Sequence, residues 1–88
     1  MKMHTDKVQF GHEGRSLEDF QAAGMAFGQV LAVRSVKRIH QRKLTPEEWA
    51  AAEKLGFLVG SALHKAGQDM NVQTFLAATS KVVGRPAA

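Results

Sequence analysis

The chain has no cysteine and no tyrosine among its 88 residues. The absence of cysteine excludes a disulfide framework and any metal site built on thiolates. It also fits a reducing compartment, so the expected location is the cytoplasm. A chain of this length forms at most one domain, and its hydrophobic core is small.

Long apolar runs are also missing. The N-terminal segment, residues 1–14, is polar and lacks the apolar run of a secretory signal. The most apolar window, residues 22–33, is too short to cross a bilayer and is followed by Arg34. The sequence therefore predicts neither a signal peptide nor a membrane span.

Acidic residues are absent between Asp19 and Glu47. Five cations fall in that interval, and they account for much of a modest formal net charge of +4: Arg34, Lys37, Arg38, Arg42 and Lys43. Such a block of one sign indicates a surface for nucleic-acid phosphates or for an acidic protein. The alternative is that these cations complement a helix dipole and face water.

Residues 16–43 are expected to form one long helix. Ser16 is suited to cap it, and Asp19 stands where a capping box has its acidic partner. Apolar residues recur three and four apart along its first half, as in a buried stripe. The same stripe then continues as Arg34, Arg38 and Arg42. The helix is therefore predicted either to change neighbours halfway along or to extend past the core that holds its first half.

A second helix is predicted from Pro46 to about residue 66. Thr45 caps it, Pro46 occupies its first position and Glu48 completes a capping box. The short connection makes the two helices an antiparallel hairpin. Asn71 caps a shorter third helix, residues 72–83, whose apolar face includes Phe75 and Leu76. Residues 1–15 form an irregular or single-strand arm, 16–84 a three-helix domain and 85–88 a flexible tail, so the fold class is all-α.

Four glycines lie four apart within the two longer helices: Gly24, Gly28, Gly56 and Gly60. Each costs roughly 1 kcal/mol relative to alanine inside a helix, so a compensating close contact is expected. Small residues at this spacing let two backbones approach each other. The spacing predicts a close contact between the first two helices, either within one chain or between two chains.

Phe57 and Leu58 fall away from the centre of the apolar face of the second helix. We expect them to pack on the third helix or the arm, since a small domain needs its large side chains. The alternative is that Phe57 and Leu58 are exposed and mark a protein interface, to which Val8 and Phe10 of the arm also contribute. We expect an aromatic or aliphatic residue of that arm to pack on the helices.

The sequence carries no defensible catalytic, cofactor or metal signature. No two histidines stand three or four apart, so no helix presents a paired metal face. His12, Glu13 and His64 could together form a metal site, but lone histidines are more often ordinary surface or structural residues. Ser61 and His64 are three apart without a carboxylate at helical spacing. The paired acidic residues 18–19 and 47–48 lie in first helical turns, where they complement the positive end of the helix dipole. We therefore expect a protein that is not an enzyme and needs no cofactor.

The first functional hypothesis is a small helical binding module whose basic helix contacts nucleic acid or a nucleoprotein surface. The alternative is a protein-binding regulator or inhibitor, with a homodimer left open. Two DNA-binding arrangements are weaker alternatives. In a helix-turn-helix, the reading helix would carry only Lys81 as a cation. In a ribbon-helix-helix dimer, the first helix would be far shorter than the one predicted here.

Overall fold

The computed structural model describes residues 9–82, and the predicted all-α fold is confirmed within them. Three helices follow one another: α1 (Leu17–His40), α2 (Pro46–Lys65) and α3 (Val72–Val82). The helices α1 and α2 pack along each other as a hairpin, and the shorter α3 packs mainly against α2. None of the described helices has the length and apolar character needed to cross a membrane. The predictions for Val8, Val83 and the tail lie outside the described residues.

The beginnings of the helices are where local sequence signals placed them. Ser16 Oγ accepts from the Asp19 N–H at 3.1 Å, and the Ser16 N–H donates to Asp19 Oδ2 at the same distance. Thr45 and Glu48 form the same reciprocal pair at the start of α2. Asn71 Oδ1 accepts from the Thr74 N–H at 2.9 Å at the start of α3. Each contact satisfies a backbone donor that the helix leaves unpaired.

The end of α1 differs from the prediction by three residues. The helix ends at His40, because Gln41 adopts the left-handed conformation with φ 55°. Its N–H still donates to the carbonyl oxygens of Val36 and Lys37, which closes the helix. Glycine or asparagine usually occupies such a position. A glutamine gives no signal of this kind, and the predicted extension to Lys43 is wrong.

The helices α1 and α2 meet through their glycines, within one chain. A β-carbon added at Gly24 would overlap the carbonyl oxygen of Gly56, and one added at Gly28 would lie 2.5 Å from the carbonyl oxygen of Ala52. Real β-carbons do not approach another atom as closely as either of these contacts requires. The contact therefore depends on residues without side chains. Because it forms within one chain, it explains the four glycines without a contact between two chains.

The core lies where α3 and the arm cover the hairpin. Its buried side chains are Phe20, Ala23, Phe27, Val59, Leu63, Met70 and Phe75. Phe27 and Phe75 stack with ring centroids 5.2 Å apart, which joins α3 to α1. The arm contributes Phe10, which packs edge-on against Phe20 at 5.1 Å and exchanges two backbone hydrogen bonds with Met70. The expectation that an apolar residue of the arm packs on the helices is thus confirmed for Phe10.

Candidate anion-binding surface and adjacent groove

Three of the five predicted cations share one concave surface at the end of α1. The side chains of Arg34, Lys37 and Arg38, here called the basic surface, line an open concavity of about 500 Å³ together with Leu31 and Ser35. All three cations are exposed. Among residues 9–82, none of them is within ion-pair distance of a carboxylate. Their charges are therefore available to a partner.

The position of this surface follows from the regularity of α1. Residues three, four and seven apart lie on one side of a helix, so Arg34 and Arg38 continue the side that carries Phe27 and Leu31. Phe27 is buried and stacks on Phe75 of α3, whereas Arg34 and Arg38 are exposed. The predicted change from an apolar to a basic stripe is thus reproduced at Arg34 and Arg38.

Arg42 does not belong to the basic surface. It lies in the loop after α1, where its Nη1 and Nη2 donate to the two carboxylate oxygens of Glu48 at 2.7 and 2.9 Å. This two-point contact, helped by the Thr45 N–H, lowers the pKa of Glu48 to about 2. The carboxylate is therefore ionised at neutral pH and neutralises Arg42. The expectation that Arg34, Arg38 and Arg42 continue one helical stripe is wrong for Arg42.

Lys43 is the fifth predicted cation. It follows Arg42 in the same loop and is exposed, and its carbonyl oxygen accepts a further hydrogen bond from Arg42 Nη1 at 2.9 Å. Since α1 has already ended, helical spacing does not align Lys43 with the basic surface. It adds positive charge close to the end of α1 without sharing the concavity.

An apolar groove borders the basic surface. This feature, here called the aliphatic groove, has a volume of about 200 Å³ and lies between the three helices. Leu31 and Ser35 line both the groove and the concavity of the basic surface, so the two are adjacent. Leu55 of α2 and Leu76 of α3 complete its aliphatic walls. Leu76 is 51% exposed although it belongs to the predicted apolar face of α3.

Sequence reasoning missed this groove because small residues on separate helices create it. Gly28 and Ala52 line it where α1 and α2 pack closely, and the buried Phe75 also lines it. The helical spacing of Leu76 gave a signal for an apolar face but none for its partial exposure. That exposure depends on what the other two helices place opposite Leu76, and spacing along α3 does not report it.

Phe57 and Leu58 are exposed, at 39% and 44%, and the expectation that they pack on α3 or the arm is wrong. Successive residues on a helix point about 100° apart, so the two side chains do not form one compact patch. Of the remaining predicted interface residues, Phe10 is partly buried against the core and Val8 lies outside the described residues.

The histidine and serine candidates have structural partners. His12 Nε2 lies 3.2 Å from the carbonyl oxygen of His64, and the two rings stand 5.3 Å apart beside Phe20. Ser61 Oγ donates to the carbonyl oxygen of Phe57 and accepts from Gln21 Nε2. Within the described part of the chain, no three potential ligands come together around a metal position.

Comparison with protein-family models, with curated proteins and with solved structures gave no match. The class defined by the fold is a three-helix domain with a glycine-packed hairpin, and a proposal for its function rests on the surfaces described above.

Proposed function

We propose that this protein is a small non-catalytic binding module whose basic surface contacts an anionic partner, a nucleic acid or a nucleoprotein. The observation that supports it is the grouping of Arg34, Lys37 and Arg38 around one concavity. An interaction of this kind depends on charges that the protein itself does not neutralise, and these three lack an ion-pair partner among residues 9–82.

The spacing of the cations suits a chain of phosphates. Arg34 and Arg38 are one helical turn apart, a separation of about 6 Å along the axis. Guanidinium groups bind phosphate oxygens through two parallel hydrogen bonds, while the ammonium of Lys37 adds a point charge. Contacts of this type position a protein on a nucleic acid without reading its sequence. The module is therefore expected to bind duplexes of different sequence alike.

The salt dependence of duplex binding tests this proposal. If three cations each displace a counterion, raising the salt from about 50 to 200 mM should weaken binding by about 40-fold. Fluorescence anisotropy of a labelled random-sequence duplex measures the affinity at each salt concentration, with a second unrelated duplex as the control. Affinity that does not change over this range would contradict the proposal.

A second candidate function is a protein-binding regulator that docks through apolar residues. The exposure of Phe57 and Leu58 favours it, since a small domain has few large side chains and leaves these two at its surface. Because the side chains of Phe57 and Leu58 point about 100° apart on α2, a partner would have to wrap around the helix or contact only one of them.

The double substitution Phe57→Asp and Leu58→Asp separates an interface role from a core role. Because both side chains are exposed, the double variant should remain folded, with its free energy of unfolding lowered by no more than about 1 kcal/mol. Thermal unfolding followed by circular dichroism measures this change, and light scattering shows whether a dimer of the unaltered chain is lost. Phe20→Asp, which places a charge in the core, is the matched control and should unfold the protein. Unfolding of the double variant itself would show that the two residues support the core.

A further inference from the structure

The basic surface and the aliphatic groove lie side by side and have different chemistries. Leu31 and Ser35 line both parts, so a ligand that lies along α1 meets aliphatic walls first and cations next. The groove is floored by the buried Phe75 and walled by Leu55 and the half-exposed Leu76. A nucleic-acid backbone has no group that would fill such a groove.

The size of the groove limits what enters it. Its volume of about 200 Å³ is below the roughly 300–1,000 Å³ of pockets that enclose a small-molecule ligand. It is also open to the surface along the half-exposed Leu76. A single apolar side chain presented by a larger partner matches these dimensions better than a separate ligand does.

The charge around the groove selects among apolar partners. The adjoining basic surface on α1 carries Arg34 and Arg38, and no acidic residue occurs between Asp19 and Glu47. The carboxylate of Glu48 on α2 is already paired with Arg42. A basic surface of this kind attracts carboxylates and disfavours a cationic segment.

We propose that the site binds an acidic amphipathic segment of a protein, which inserts an aliphatic or aromatic side chain into the aliphatic groove and sets its carboxylates against Arg34 and Arg38. This inference rests on the proposed function because it uses the same basic surface, and it assigns to that surface the acidic protein part of a nucleoprotein instead of nucleic acid. An amphipathic helix that lays its apolar residues into a groove is a common mode of peptide recognition. Nucleic acid and a second copy of this chain are the competing occupants.

The test uses the full chain with two synthetic helical peptides rich in glutamate. One peptide carries leucines along one side, and the other has alanine at those positions, so both have the same charge. Fluorescence anisotropy gives the affinity of each labelled peptide, and a labelled duplex is measured beside them. The leucine peptide should bind about tenfold more tightly, as expected for burial of one leucine side chain.

Protein variants locate the contact. Leu76→Ala should remove most of the preference for the leucine peptide, because Leu76 walls the groove. Leu17→Ala is the matched control, since Leu17 is an exposed leucine at the start of α1 and outside the groove, and it should leave the preference unchanged. Arg38→Ala should weaken both peptides alike. If a variant loses its helical circular dichroism, the comparison of the two peptides on the unaltered protein still decides the question.

Equal binding of the two peptides would overturn the inference and leave the proposed function standing, and so would a duplex that binds while both peptides fail. Failure of the peptides and the duplex together would overturn both proposals. A dimer of the unaltered chain that Leu76→Ala converts to monomer would assign the groove to a second copy and would also overturn the inference.

Discussion

A single methyl group at Gly24 should lower the free energy of unfolding by about 3 kcal/mol, the upper end of the usual cost of overpacking. The added β-carbon would overlap the carbonyl oxygen of Gly56, and the nearest atoms are backbone atoms that no side-chain rotation can move. The two helices must separate to admit it. Alanine is the better helix former by about 1 kcal/mol, so its intrinsic preference opposes the expected loss.

This loss is a large share of the total, because a chain of 88 residues is expected to have only about 4–13 kcal/mol of stability. Chemical denaturation followed by circular dichroism measures it. Gly11→Ala is the matched control: a β-carbon at Gly11 would have its nearest neighbour, Asp69 Oδ1, at an ordinary 3.8 Å. A Gly24→Ala variant as stable as the unaltered protein would mean that α1 and α2 do not cross at this point.

Reversing two charges of the basic surface should remove most of the binding to an anionic partner. In the double variant Arg34→Glu, Arg38→Glu, two contacts worth roughly 1.5–3 kcal/mol each are replaced by repulsion, so affinity for a duplex should fall at least about 100-fold. Both side chains are exposed and support no buried contact, so the fold should remain intact. Anisotropy of a labelled duplex at low salt measures the fall.

The control for this result must have the same net charge. Lys54→Glu with Lys65→Glu also changes the formal net charge from +4 to 0, but at two exposed lysines of α2 outside the concavity. If the basic surface is the site, this control should lose far less affinity than the arginine variant. Equal losses in both variants would show that binding follows overall charge and that Arg34 and Arg38 have no special position.

Signals carried by neighbouring residues were sufficient to predict the start of each helix. Ser16 with Asp19, and Thr45 with Pro46 and Glu48, form their caps through atoms at most three residues apart, so no distant part of the chain is needed. The end of α1 had no such signal, because Gln41 enters the left-handed region without being glycine or asparagine. The position of Arg42 could not be predicted for the same reason.

Exposure was the property that local pattern predicted least well. Leu76 and Phe57 have helical spacing that suits an apolar face or its edge, yet both are partly exposed. Burial depends on which other element covers a side chain, and α3 is too short to cover the whole hairpin. The aliphatic groove has the same origin, since its walls come from three helices.

The sequence by itself determined the helices, their order, the close glycine contact and the block of cations on α1. These features depend on spacing along the chain, where local physical rules act directly. Only the tertiary structure decided that the glycines of one chain pack against each other, that Arg42 is neutralised by Glu48 and that Arg34, Lys37 and Arg38 border an apolar groove. Each of these depends on distances between residues far apart in sequence, which packing sets and periodicity does not.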